Sequence, residues 1–332
     1  MNETAVTLGE FDLIARYFAP LATKPGAFAL TDDGALFDVP DGQTCVVTTD
    51  AMVSGVHFFE SDGPLNLGWK LLAVNLSDLA AMGAEPLGYT LDFALPRDWP
   101  QDRLESWLPQ FVQGLMDCQM RFQTSLLGGD TVSTSGPLTL AVTAFGSVPK
   151  DQVLRRNGAK VGDSIWVSGT IGDAALAVKV RHGWTPPANL TLSYADMRLD
   201  MPFPRVALGK ALRGIATAAL DISDGLAADL GHICVASKVG AEISFDEIPL
   251  TTEMRSFVAA APELVQTILS GGDDYELIFT APPEAEAEIR EASKKTLSPV
   301  YCIGRIVAGS EVSIAGPDGQ PIALDRLGFA HF

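Results

Sequence analysis

The chain has 332 residues, of which 47% are hydrophobic and 19% charged, a balance that argues for a globular protein and against a disordered or coiled one. Its 41 acidic residues against 23 Lys and Arg give a net charge of −18, which argues against a nucleic-acid partner, because binding a phosphate backbone depends on cationic neutralisation. An anionic substrate would need divalent cations between its phosphates and the protein's carboxylates, as magnesium commonly provides.

The length favours two domains over one. Cys45, Cys118, Cys234 and Cys302 are too scattered for a zinc or redox spacing and read as reduced, packed thiols. Residues 1 to 30 lack the pattern of a secretory leader, and no apolar run approaches the ~20 residues that span a bilayer, so a cytoplasmic protein with no membrane partner is expected.

Phe11, Ile14, Ala15 and Phe18 recur at helical spacing, and Pro20 ends that pattern. Thr31-Asp32-Asp33-Gly34 reads as a loop, Pro40-Asp41-Gly42 as a turn, and Thr44 to Asp50 as a strand. A helix follows from Gly68 to Met82, with Leu71, Asn75, Asp78 and Met82 on one stripe. Leu87 to Leu95 alternates as a half-buried strand that Pro96 closes, and Leu104 to Leu115 is amphipathic. Leu126-Leu127 then runs into Gly128-Gly129-Asp130, and Leu138 to Val148 is a further strand.

A change to polar and basic residues between Pro149 and Asp163 places the domain boundary near 150, giving domains 1–150 and 151–332. Beyond it, helices are expected after Gly172, after Pro204 and from Gly225 to Ser237, with strands before Asp221 and at 165–167, 241–246, 275–280 and 300–307. Leu269-Ser270-Gly271-Gly272-Asp273 faintly echoes the earlier Leu126 to Asp130 segment.

A single Asp after a strand is usually a cap or turn former. Here Asp33, Asp50, Asp78, Asp130, Asp221 and Asp224 all adjoin apolar or Gly-rich segments rather than solvated charge runs, and such an accumulation suits magnesium. Asp78 discriminates best, since a carboxylate on an apolar helix stripe is costly to desolvate without a partner, which is either a metal or a backbone cap. Asn75 reads equally well as a buried amide tying its helix to neighbouring backbone. His57 reads as structural by default, or as a group for an anionic substrate. Arg155 and Arg156 offer forked donors for phosphate, or simply form an exposed basic turn. The P-loop and protein-kinase motifs are absent.

Asp32-Asp33, Thr48-Thr49-Asp50, Gly55-Val56-His57-Phe58, the run from Ala73 to Ala84 and Gly128-Gly129-Asp130-Thr131 together resemble the thiamine-monophosphate kinase family. So do Gly9-Glu10-Phe11, Asp221-Ile222-Ser223-Asp224-Gly225-Leu226, Gly271 to Leu277, Ile303-Gly304-Arg305 and the closing Gly328 to Phe332. The wider group includes aminoimidazole ribonucleotide synthetase and selenide, water dikinase. The resemblance implies a two-domain α/β (α+β) fold of the aminoimidazole ribonucleotide synthetase kind, with an N-terminal ATP- and magnesium-binding sheet domain that pairs in a homodimer. A C-terminal mixed α/β domain would complete the nucleotide and substrate site.

By the same resemblance, Asp33, Thr48, Thr49, Asp50, Asp78, Asp130, Asp221 and Asp224 would be ligands of several Mg2+ ions, directly or through water. Gly129, Asp130, Arg156 and Ser223 would contact ATP, while His57, Asp273 and Phe329 would lie at the thiamine-phosphate end. The implied reaction is ATP-dependent phosphorylation of thiamine monophosphate to the diphosphate, with no side chain acting as catalytic base. Two positions depart from the family's pattern: Thr31 stands where Gly is usual, and Asp273 where Glu is usual. Another ATP-dependent reaction on the same fold, or a non-catalytic magnesium-nucleotide binder, are the competing readings.

Overall fold

A computed structural model describes residues 10–187 and 192–329. Gly9 and residues 330–332 of the quoted motifs lie outside the described residues. The chain forms two compact units, one comprising residues up to Leu79 together with Glu85–Val148, the other Ala80–Ala84 and the residues from Pro149 onward.

In the first unit, helix α1 (Glu10–Leu13) continues as a wider π-type turn, Ile14–Phe18, and then as 3-10 turns at Ala19–Leu21 and Pro25–Leu30. Strand β1 (Gln43–Val53), helix α2 (Pro64–Ala81), β2 (Glu85–Pro96), helix α3 (Gln101–Phe122), β3 (Leu126–Thr134) and β4 (Thr139–Pro149) follow. The sheet order is β1-β4-β2-β3, so β1 and β3 are its two edges. β2 runs parallel to β3 and antiparallel to β4.

Leu71, Leu72 and Leu79 of α2 and Leu108, Phe111 and Leu115 of α3 are fully buried, which follows from their helical spacing. The two helices meet at glycines: a Cβ on Gly68 would lie 2.0 Å from the Phe111 carbonyl oxygen, and one on Gly114 1.9 Å from that of Leu65. The opposite face of β1 stays open, with Cys45, Val47, Thr49 and Ala51 all exposed, Val47 at 58%.

The structure corrects one expectation about the aspartates: Asp50 and Asp130 are inside strands rather than at their ends. β1 continues through Ala51-Met52-Val53, where exposed and buried residues still alternate, and β3 runs on to Thr134. Gly129 permits this, because Leu91 of β2 pairs with it so closely that a Cβ would come within 1.9 Å of the Leu91 carbonyl oxygen.

The second unit contains, in chain order, β5 (Ser164–Ser168), α4 (Asp173–Arg181), α5 (Ser193–Asp200), α6 (Val206–Ala211), β6 (Ala218–Asp221), α7 (Leu226–Ser237) and β7 (Gly240–Ser244). It continues with α8 (Thr252–Ala260), α9 (Leu264–Ser270), β8 (Leu277–Ala281), α10 (Glu286–Thr296), β9 (Val300–Val307) and β10 (Val312–Ala315). The six-stranded sheet has the order β10-β7-β9-β5-β8-β6, antiparallel except for β10 beside β7.

One core joins Ile165 and Val167 of β5 to Leu226, Leu230 and Ile233 of α7 and Ile268 of α9. Trp166, pointing to the other face as strand alternation requires, stacks on Phe279 and lies under Arg290 of α10. Helices α5, α8, α9 and α10 and strand β10 add to the elements expected from sequence. Among the described residues no helix is long and apolar enough to cross a membrane.

Candidate active site

Two groups of carboxylates form in the first unit, one near each edge of its sheet. At β1, Thr48 and Asp50 alternate with exposed Val47, Thr49 and Ala51, and so belong to the face covered by α2. Thr48 Oγ1 donates to Asp78 Oδ2 at 2.5 Å. Asn75, one turn earlier on α2, accepts from the Asp50 N–H at 3.1 Å and donates to the Leu71 carbonyl at 3.0 Å, which matches its reading as a structural amide. Burial, and then the neighbouring Asp78 charge, push the Asp50 carboxyl up to about 6.

Thr49 faces the other way. Its hydroxyl donates to the Val142 carbonyl at 3.2 Å and accepts from Thr143 Oγ1 at 3.1 Å, both on β4. His57 lies in the loop after β1, with its Nδ1 accepting from the Val53 N–H at 3.0 Å, so that in the neutral ring Nε2 carries the proton. A cleft of about 330 Å³ flanks that loop, lined in part by Phe58, Trp99, Trp107 and Arg103.

At the β3 edge, Asp33, Gly129 and Asp130 line a second cleft of about 340 Å³ whose walls include Phe18, Phe37, Leu126, Leu127 and Phe145. The Thr131 N–H donates to Asp130 Oδ1 at 2.8 Å. Because β4 and β2 intervene, the Asp50 and Asp130 backbones are three strand spacings apart, about 14 Å. One ion cannot touch both in a single protomer.

In the second unit, three chain segments meet around Ser223 and Asp224, which follow β6. The Asp273 N–H donates to the Ser223 carbonyl at 3.0 Å, Tyr275 N–H to that of Ile222 at 2.8 Å, and Phe329 N–H to that of Asp224 at 3.0 Å. Gly272 is obligatory there, since a Cβ would come within 2.0 Å of the Ser223 carbonyl oxygen. Asp221 is buried at the end of β6, opposite Leu277 of β8. Arg156 is exposed on a loop along the free edge of β6, where Ala219 N–H donates to the Arg155 carbonyl and Ser237 Oγ to that of Arg156.

Within the Gly271 to Leu277 segment the carboxylates divide by role. Asp273 is half-buried at φ 67°, whereas Asp274 and Glu276 are almost wholly buried. Both Asp274 oxygens accept from the Gly172 N–H, at 2.9 and 3.0 Å. Glu276 accepts a two-pronged bond from Arg205 at 2.6 Å for each prong, another from Ser168 at 2.5 Å, and pairs with Arg198 at 3.0 Å. These two hold the turn in place.

Sequence reasoning missed Asp229. Its Oδ2 accepts from the N–H groups of Ser223, Asp224 and Gly225, each at 3.1 Å, and so shapes the loop that carries two expected site residues. Burial and the Asp224 charge nevertheless raise it to about 7. Its place in the first turn of α7, just after Gly225, was the available signal. Asp224, Asp229 and His232 present ligand atoms within 4.8 Å of one another.

The AIR synthase related protein family matches through its N-terminal domain over residues 31–148 and its C-terminal domain over residues 160–316. Thiamine-monophosphate kinase of Escherichia coli strain K12 is 40% identical over 327 residues, covering 98% of each chain. The crystal structure of thiamine-monophosphate kinase from Stenotrophomonas maltophilia K279a is 40% identical, with a TM-score of 0.82 over 95% of this chain and 98% of that one. A structure of AaThiL complexed with AMPPCP and TMP has a TM-score of 0.74 at 29% identity, over 98% of this chain and 97% of that one. The chain belongs to the thiamine-monophosphate kinase family of AIR synthase-related proteins.

Proposed function

We propose that the protein transfers the γ-phosphoryl group of ATP to thiamine monophosphate, making thiamine diphosphate and ADP in the cytoplasm. The observation that carries this reading is the half-buried Asp50 beside Asp78: burial, and then the Asp78 charge, raise the Asp50 carboxyl, and a hard divalent cation would offset both. It occurs in a chain that aligns end to end with thiamine-monophosphate kinases.

The donor set fits magnesium, which prefers oxygen ligands and retains waters. Asp50, Asp78 and the Thr48 hydroxyl would hold it at the β1 edge, and Asp33 and Asp130 at the β3 edge. Asp221 and Asp224 would do so in the second unit, and Thr49 would take part through its main-chain oxygen. When bound, magnesium supplies charge neutralisation and a bridge to phosphate oxygens.

The attacking phosphate oxygen forms its bond to the γ-phosphorus in line as the bond to the β-phosphate oxygen breaks, and ADP leaves. That oxygen is already ionised, so no side-chain base is needed, and the protein's task is positioning and electrostatics. Gly129, Asp130, Arg156 and Ser223 would contact ATP. His57 and Asp273 would address the thiamine monophosphate, with Phe329 giving an aromatic face to the thiazolium cation. A homodimer through the open face of the first sheet would cover the exposed Val47 and its neighbours.

Incubation of the purified protein with ATP, magnesium and thiamine monophosphate, followed by mass analysis, tests the reading. Thiamine diphosphate and ADP in equal amounts are expected. ATP bound tightly with no ADP released, or ADP formed only with a different acceptor, would reject it.

A further inference from the structure

Asp33 is reached through an unusual piece of backbone. Phe28, Ala29 and Leu30 take φ values of 48°, 51° and 60°, three consecutive side-chain-bearing residues in the left-handed region. L-residues enter that region singly and at a cost, so a run of three persists only when its surroundings impose it.

The surroundings here are specific. The Leu36 N–H donates to the Gly26 carbonyl at 2.8 Å, closing a loop whose base is so tight that a Cβ on Gly26 would lie 1.9 Å from the Leu36 carbonyl oxygen. At the other end Thr31 bonds the Phe28 carbonyl twice, through its N–H at 3.1 Å and its Oγ1 at 2.6 Å. The next residues, Asp32 and Asp33, enter the lining of the cleft that holds Gly129 and Asp130.

We propose that Thr31 is a positioning residue: its hydroxyl locks the left-handed Phe28–Leu30 turn and thereby fixes Asp33 in the cleft opposite Asp130. The proposal rests on the reading of Asp33 as a magnesium ligand. A threonine can supply this lock and a glycine cannot, so the chain tolerates a side chain at a position that follows three strained residues. Releasing the lock lets the turn relax toward right-handed backbone, and the Asp33 carboxylate spreads over more positions.

The test compares Thr31→Val, Thr31→Ser, Ala29→Gly and Asp33→Asn in the full-length protein. The readouts are the magnesium concentration giving half-maximal thiamine diphosphate formation at saturating substrates, and the melting temperature. Thr31→Val should raise the magnesium requirement by about threefold to tenfold, the scale of one lost hydrogen bond, while kcat at saturating magnesium and the KM for thiamine monophosphate stay near their starting values. Thr31→Ser should restore the original requirement.

Ala29→Gly should raise the melting temperature by relieving strain and should blunt the effect of Thr31→Val on the magnesium requirement, because a turn that is left-handed without strain depends less on the lock. Should Thr31→Val fail to fold, Thr31→Ala, which also lacks the hydroxyl, decides in its place, and an unchanged requirement there overturns the proposal. If Asp33→Asn raises the requirement but Thr31→Val does not, the positioning role of Thr31 is wrong and the metal role of Asp33 stands. An unaltered requirement in Asp33→Asn removes both.

Discussion

Asp78 accepts a 2.5 Å hydrogen bond from Thr48 and, from the same position on α2, adds its charge to the burial that lifts Asp50 to about 6. A folded-state value above the unfolded one of about 4 means that the fold favours protonated Asp50. Its contribution to stability is therefore complete below about pH 4 and is lost as the pH rises through about 6. Asp229 acts in the same direction up to about 7.

Magnesium should reverse this loss, because it binds the ionised pair. The rise in melting temperature on adding magnesium should be larger at pH 7.5 than at pH 5. Asp50→Asn should stabilise the metal-free protein at pH 7.5 by on the order of 1–2 kcal/mol after solvent screening. Thermal melts at the two pH values, with and without magnesium, measure this; a magnesium effect independent of pH would contradict it.

Turnover should depend on both edges of the first sheet. Asp50→Asn and Asp130→Asn should each reduce thiamine diphosphate formation by about a thousandfold, the scale of losing an electrostatic group at a reacting centre, while circular dichroism stays native. Asp130 is exposed and Asp50 has α2 around it, so neither change opens a large cavity. Near-normal rates in both variants at modest magnesium would remove these residues from the reaction.

The α2 stripe was readable in the sequence because helical periodicity puts Leu71, Asn75 and Asp78 on one face whatever the rest of the chain does. The length of β1 was not, because reading Asp50 as a stop ignored the alternation that continues through Met52, and a strand edge near a helix tolerates a polar side chain that a central strand would not. Nor could the sequence separate Asp273 from Asp274 and Glu276. That division is made by Gly172, Ser168, Arg198 and Arg205, residues remote in the chain. The opposite placement of Asp50 and Asp130 depends on the strand order, which local pattern does not encode.

Phe329 is about half exposed, and its N–H is tied to the Asp224 carbonyl, which holds the backbone. Phe329→Ala should keep that bond and remove only the aromatic face. The KM for thiamine monophosphate should rise about tenfold, the scale of one desolvated cation–π contact, with the KM for ATP little changed. Steady-state kinetics with each substrate varied in turn decide the point, and equal effects on both would argue against its place at the thiamine end.

Arg205→Ala should be among the most destabilising single changes in the second unit. Glu276 is 1% exposed and lies within a shell made by Arg205, Arg198 and Ser168. Removing the two-pronged partner leaves a buried carboxylate with too little compensation, a loss of about 3–5 kcal/mol. Arg205→Lys should recover part of this, since an ammonium keeps the charge but offers no planar fork. Glu276→Gln should destabilise as well, because it strands Arg198 and Arg205 together. Urea unfolding of the three variants measures the order, and Asp273, three residues before Glu276, gives a second readout: a KM for thiamine monophosphate that rises in Arg205→Lys while its stability largely recovers would show that the fork also sets the turn.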